Sequence, residues 1–287
     1  MKLTVDTGVV CRRLGEDAAF CLIKETGFDG VDYSLITRDG YNRLYRDEYI
    51  KNALETKMLL EKHSLVCDQV HAPFVFKYED TFCEDNERFA ELVRSIEYAS
   101  IIGAKYIVVH YIKNDIPFDD DYISYNLEFY KSFIPYLEKF NVKIAVENLY
   151  KRNPVKSFYG ALLCDPHRHL EFMKKLDSEC FGICLDIGHS AVTGYLPEDS
   201  IKVLGKNISI THIQDTDYER DSHMPPFTMS HNWDKIASAF AETGYEGNIS
   251  LEVPTFLSKL DDDMLKAGLS FCHSGGRKLI QKINSYK

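Results

Sequence analysis

Six times along the chain a short apolar run stops at an acid or an imidazole. Leu65 to His71, Tyr106 to His110, Lys143 to Glu147, Ile183 to Asp186, Ile208 to His212 and Asn248 to Glu252 all have this form. Such runs read as buried strands. Leu3 to Thr7 and Gly30 to Leu35 add two more. Amphipathic segments separate them: Glu16 to Thr26, Asp47 to His63, Glu84 to Ile102, Ser124 to Phe140 with a kink expected at Pro135, Pro166 to Leu176, Pro197 to Leu204, Asn232 to Thr243 and a helical tail after Asp261. Strands alternating with helices imply parallel pairing. About eight such units in 287 residues, against a typical ~250 for a closed parallel barrel, predict an α/β fold, a single (β/α)8 TIM barrel.

In a parallel barrel every strand tip faces the same bowl, so the six polar endings converge there. The stretch from Gly182 to His189 is the centre of this pattern. Its apolar run ends at Asp186, Gly188 permits a sharp turn, and His189 follows three residues after the acid. Asp221 and His223, from the long loop Gln214 to Ser230, extend the set. A doubly wound sheet fits less well, because Asp6-Thr7-Gly8-Val9 stands where a Gly-rich phosphate turn would follow the first strand.

Composition narrows the classes. At 287 residues the length alone admits two domains, but no linker or low-complexity tract divides residues 1–287, so one unit is expected. Hydrophobic residues at 45% and charged residues at 27% describe an ordinary globular chain. No apolar run is long enough to span a bilayer, and Met1 to Asp6 turns acidic at once, unlike a signal peptide. The eight cysteines are scattered without a CxxC pair and are expected to be reduced in a cytoplasmic protein. A net charge of −10 gives no footprint for nucleic acid or anionic membrane. The oligomeric state stays open, a homo-oligomer included.

Taken singly, each polar ending has an ordinary explanation. A strand-end His is commonly a structural hydrogen-bonding residue. Glu147 or Glu252 could pair with a loop Lys, and Asp186 could cap the next turn. Asp221 and His223 could be solvated loop residues. Together they form a nitrogen and carboxylate donor set without thiolates, which suits Zn²⁺, Mn²⁺, Co²⁺ or Mg²⁺. So many acids facing one bowl would repel each other without a cation. His63, His167, His169 and His273 read as surface residues, and His231 as a cap for the helix containing Trp233. Tyr111, Phe118, Tyr150, Phe158 and Tyr159 are candidate floor residues for a pocket at the strand tips, or ordinary loop packing. Lys113, Lys151 and Arg152 read as solvated loop cations.

These residues carry a resemblance. Val70-His71-Ala72-Pro73, Val109-His110, Val146-Glu147-Asn148, Gly182 to His189, Thr211-His212-Ile213-Gln214-Asp215, Asp221-Ser222-His223 and Leu251-Glu252-Val253-Pro254 occur in the order found in the xylose isomerase-like TIM barrel superfamily. That superfamily joins sugar isomerases and epimerases to endonuclease IV. The resemblance implies a metal held by Glu147, Asp186, His212 and Glu252. It also implies an acid/base pair of Glu147 and Glu252 working through an enediolate, with His189, His71 and His110 on the substrate. It further implies an additional zinc set of His71, His110, His189, Asp221 and His223, as in endonuclease IV. The expected activity is therefore isomerisation or epimerisation of a sugar or sugar phosphate, with phosphodiester hydrolysis as the alternative. The chain departs from many members in the loop after His223. Their Pro-Gly-x-Gly is replaced by Pro225-Pro226-Phe227-Thr228, without glycine.

Overall fold

A computed structural model describes the chain apart from residues 37–40, 75–79, 113–119, 152–158 and 161. Eight parallel strands form the centre: β1 Leu3–Asp6, β2 Gly30–Ser34, β3 Val66–His71, β4 Tyr106–Val108, β5 Lys143–Glu147, β6 Phe181–Asp186, β7 Ile208–His212 and β8 Ile249–Leu251. They pair in sequence order, and β8 pairs with β1. The β7–β8 seam is closed just above the strands by a parallel bridge between Ile213 and Leu251, with Ile213 N donating to Ser250 O at 2.7 Å. The fold is the expected (β/α)8 TIM barrel.

Two strand pairings slip by one residue: β2 against β3 between Val31 and Asp32, and β6 against β7 between Ile183 and Cys184. Such bulges re-aim the residues that follow them. The skipped residues are Asp68 on β3 and Ser209 on β7, so the side chains that follow include Gln69 and, further along, His212. Along a strand, side chains alternate between faces. Ala145, Cys184 and Ile210 therefore share a face with Glu147, Asp186 and His212. With Val108 they form a small apolar plug under the polar tips, separate from the main core between strands and helices.

The helices follow the sequence reading with local differences. The helix expected to kink at Pro135 is instead two helices, Asp120–Lys131 and Ile134–Phe140. Pro135 occupies the first turn of the second, where its missing N–H costs nothing. Asn86, not Glu84, starts the helix between β3 and β4 by capping it, its side chain accepting from Arg88 N. Among the described residues three short helices were not anticipated, Gly8–Leu14 after β1, Ile187–Val192 after β6 and Pro254–Ser258 after β8. His169 was expected at the surface but is wholly buried against β5. Burial drives its pKa down to about 4, so it is packed as a neutral ring. The helix after His231 is capped by Asn232, whereas His231 is buried beside Thr216 Oγ1 at 3.1 Å. All eight cysteines are free, and no helix among the described residues is long and apolar enough to cross a membrane.

Candidate metal centre and cavity

The strand tips open into a cavity of ≈ 450 Å³. Glu147 ends β5, Asp186 ends β6, His212 ends β7, and Glu252 stands one residue past β8. One donor atom from each of these four lies within 4.8 Å of the donors of the others. His71 ends β3, and His110 stands two residues beyond the shorter β4. His110 Nε2 approaches Glu147 Oε2 to 2.6 Å, and His71 Nε2 lies 4.0 Å from the same oxygen. The structure thus brings all nine sequence candidates to one end of the barrel. Seven line the cavity, while Asp186 and His212 are fully buried beneath it.

Hydrogen bonds fix how the imidazoles face. A carbonyl oxygen can only accept, so a ring nitrogen bonded to one must carry the proton. His71 Nδ1 meets Ala72 O at 3.1 Å, His189 Nδ1 meets Asn148 O at 2.8 Å, and His223 Nδ1 meets Glu252 O at 3.1 Å. Each of these three therefore presents Nε2 to carboxylates: Glu147 for His71, and Asp221 for His189 and His223. His212 is reversed. Its Nδ1 meets Glu147 Oε1 at 2.8 Å and lies 3.4 Å from Glu252 Oε2, while Nε2 points down to Asp32 Oδ2 at 3.1 Å.

Asp186 does two jobs. It caps the short helix after β6, Oδ1 accepting from His189 N at 2.7 Å, and it keeps its carboxylate in the donor set. Asn148 holds its backbone from β5, accepting from Asp186 N and donating to Asp186 O, both at 2.8 Å. Gly188 does not need a left-handed backbone, as its φ is not positive. It is required because a Cβ there would meet Gln214 Cδ at 2.4 Å. Gln214 uses that space to bridge Asp186 Oδ2 at 3.1 Å and Asp221 Oδ1 at 2.8 Å, while its Oε1 accepts from His223 N at 2.7 Å.

The loop carrying Asp221 and His223 is ordered by Asp215, which is fully buried. Its carboxylate accepts from the backbone N–H groups of Thr216, Thr228, Met229 and His231 and from Trp233 Nε1, all at 2.9–3.1 Å. Tyr150 Oη donates to Asp221 Oδ2 at 2.8 Å, so this aromatic braces the wall. Tyr111 also lines the cavity. Phe118, Phe158, Lys113 and Arg152 lie outside the described residues, as does the side chain of Tyr159. Lys151 is buried, not solvated as expected, with Nζ 5.6 Å from the Tyr122 ring centre. Asp6, Asp32 and Gln69 were not singled out from sequence, and Asn148, Gln214 and Asp215 were noted only as parts of motifs, without a role. The available signal was a charged or amide residue inside or directly after an apolar strand.

Electrostatics separates the acids. Burial works against ionisation of Glu147, but His212 and His110 outweigh it and hold this carboxyl well below the usual range. Burial pushes Glu252 up to about 8; Glu147 and Asp186 add to the rise, against His212 and His223. Burial and Asp32 bring Asp6 to about 7. His223 rises to about 10, because Glu252 and Asp221 outweigh its burial. A divalent cation fits this arrangement. Three carboxylates and one imidazole converge, and Glu252 Oε2 is buried with no hydrogen-bond partner among the described residues. An orphaned buried carboxylate oxygen is costly unless something cationic completes it.

The family described as xylose isomerase-like TIM barrel matches residues 20–273. An uncharacterized protein of Methanocaldococcus jannaschii is 28% identical over 64% of this chain, and the match spans 63% of that protein's length. An uncharacterized protein of Sinorhizobium fredii is 27% identical over 81% of this chain and 79% of its own. Among solved structures, a D-tagatose 3-epimerase-like protein superposes with a TM-score of 0.71 at 23% identity, covering 99% of both chains. D-psicose 3-epimerase from Clostridium cellulolyticum H10 gives 0.77 at 15% identity, covering 98% of this chain and 99% of that one. The 3-keto-D-glucoside 4-epimerase of E. coli gives 0.70 at 14% identity, over 96% and 99%. At these identities the structural likeness is one of fold.

Proposed function

Because the chain belongs to the xylose isomerase-like TIM barrel family, we propose that it is a divalent-metal-dependent isomerase or epimerase of a sugar or sugar phosphate. The observation that carries this reading is the convergence of Glu147, Asp186, His212 and Glu252 from four strand tips within 4.8 Å. The sugar epimerases among the similar structures agree with it. A divalent ion held by these four residues would polarise a substrate carbonyl and its neighbouring hydroxyl.

The chain's own residues supply the proton chemistry. Glu147, kept ionised by His212 and His110 against its burial, takes the proton from the carbon beside the carbonyl. Glu252 is the partner that returns a proton on the other side. His189, His71 and His110 meet substrate hydroxyls, the first two through Nε2 atoms whose orientation is set by backbone carbonyls. Incubating Mn²⁺-loaded protein with a panel of ketoses in D₂O tests this. Deuterium should enter at the carbon next to the carbonyl, detected by NMR, and Glu147→Gln should abolish it. A panel that yields product without deuterium uptake would contradict the proton-transfer mechanism.

A second reading is an endonuclease IV-like zinc phosphodiesterase. Two further donor groups favour it, His71–His110–Glu147 and His189–Asp221–His223, each within 4.8 Å. The charge of the chain argues against it. The net charge is −10, and among the described residues that line the cavity Arg12 is the one Lys or Arg.

A further inference from the structure

We infer that Asp32 is a positioning residue for the metal centre, acting through His212. This rests on the reading of His212 as a ligand. The other cavity histidines with defined orientation, His71, His189 and His223, are aimed by main-chain carbonyls at Nδ1. His212 is the exception. It offers Nδ1 to the carboxylates of Glu147 and Glu252, so its orientation must be fixed from Nε2. The atom facing Nε2 is Asp32 Oδ2 at 3.1 Å, with both residues almost wholly buried. A carboxylate behind a ligating imidazole selects the tautomer, holds the ring plane and strengthens the ring as a donor.

Asp32 is itself clamped. Gln69 Nε2 donates to Oδ2 at 2.5 Å and Ser250 Oγ at 3.2 Å, so three strands, β2, β3 and β8, meet at this carboxylate under β7. The pairing skips one residue of β3 beside Asp32, so that Gln69, not Asp68, stands opposite it. Nε2 of His212 and Oδ1 of Asp32 are both buried without an aligned hydrogen bond. The contact is within reach but slightly off line, and a small ring rotation on ligation through Nδ1 brings Nε2–H onto Asp32. A carboxylate placed only for structure would be saturated, as Asp215 is. Asp32 instead keeps Oδ1 without a partner among the described residues, while Oδ2 faces an imidazole whose Nδ1 is turned to carboxylates.

The test compares Asp32→Asn with wild type by calorimetric titration of the chelated protein with Mn²⁺ and by the visible absorption of the Co²⁺ form. Affinity should fall about 10–100-fold and the cobalt bands should shift, while the thermal midpoint of the metal-free protein stays near wild type. Wild-type affinity and spectrum in Asp32→Asn would overturn the inference and leave the proposed function standing. Weakened affinity with an unchanged cobalt spectrum would also overturn it, since Asp32 would then act by charge alone and not through His212. Wild-type protein that binds no divalent ion would sink the proposed function and this inference together. Should Asp32→Asn fail to fold, Ser250→Ala removes one clamp and should shift the same bands with a smaller loss of affinity; unchanged bands there count against the role.

Discussion

The strand-tip acids and the loop-borne acid differ in how far their hydrogen bonding is complete. Asp221 rides the loop after β7, yet both its oxygens are taken, by Gln214, Tyr150 and His223. Glu252 stands at a rigid strand tip, yet one oxygen has no hydrogen-bond partner among the described residues. Backbone rigidity therefore does not coincide with saturation. The loop contains no glycine between Gln214 and Ser230 and uses a buried carboxylate, Asp215, to gather its backbone N–H groups. Its ordering entropy is met on folding, before any ligand arrives. The wall is internally satisfied, and the floor is arranged for a cation.

The sharpest break in this comparison is at the floor. Glu147→Gln and Glu252→Gln should each lower turnover by about 10²–10⁴-fold, the range for losing a general acid or base, with circular dichroism unchanged. Wild-type-like turnover in either variant would remove the two-glutamate mechanism.

Next comes the wall. Asp215→Ala leaves four backbone N–H groups and the Trp233 indole without their acceptor. Denaturant unfolding should show a loss of about 3 kcal/mol or more, from buried donors left unmade. Gly188→Ala should cost about 1–3 kcal/mol, because the new methyl displaces the Gln214 amide that links floor and wall. If Gly188→Ala is neutral, that link is not tight.

A smaller effect is read through pH. Glu252 has a folded pKa of about 8 against an ordinary 4.5. A raised carboxyl contributes stability below its unfolded pKa and loses it as pH rises through the folded one. The metal-free protein should therefore lose stability between about pH 5 and pH 8 from this group. A bound cation favours the ionised form, so the gain in thermal midpoint on adding Mn²⁺ should grow across the same interval. A gain that shrinks with rising pH would contradict the placing of Glu252 beside the ion.

Much of this was legible in the sequence, for a physical reason. A buried parallel strand is apolar until its tip, so an acid or imidazole at the end is conspicuous, and Glu147, Asp186 and His212 are all found that way. His110 and Glu252 fall just past shorter strands than expected, yet the same signal locates them. The residues that hold the site were hidden. Asp32 and Gln69 sit inside strands, and their meeting across β2 and β3 depends on a register that one sequence does not reveal. Gln214 and Gly188 are recognisable as partners only once two loops are seen in contact. His169 was misread because a helical His has no mark of burial without its neighbours.

Metal stoichiometry tests the central claim most directly. Chelated protein titrated with Mn²⁺ or Zn²⁺, followed by elemental analysis, should show one tight equivalent per chain, lost on Glu252→Gln more than on Asp221→Asn. The saturated wall around Asp221 should fill only at higher concentration. Three zinc ions bound with similar tightness would contradict the distinction between floor and wall and turn the assignment toward phosphodiester hydrolysis.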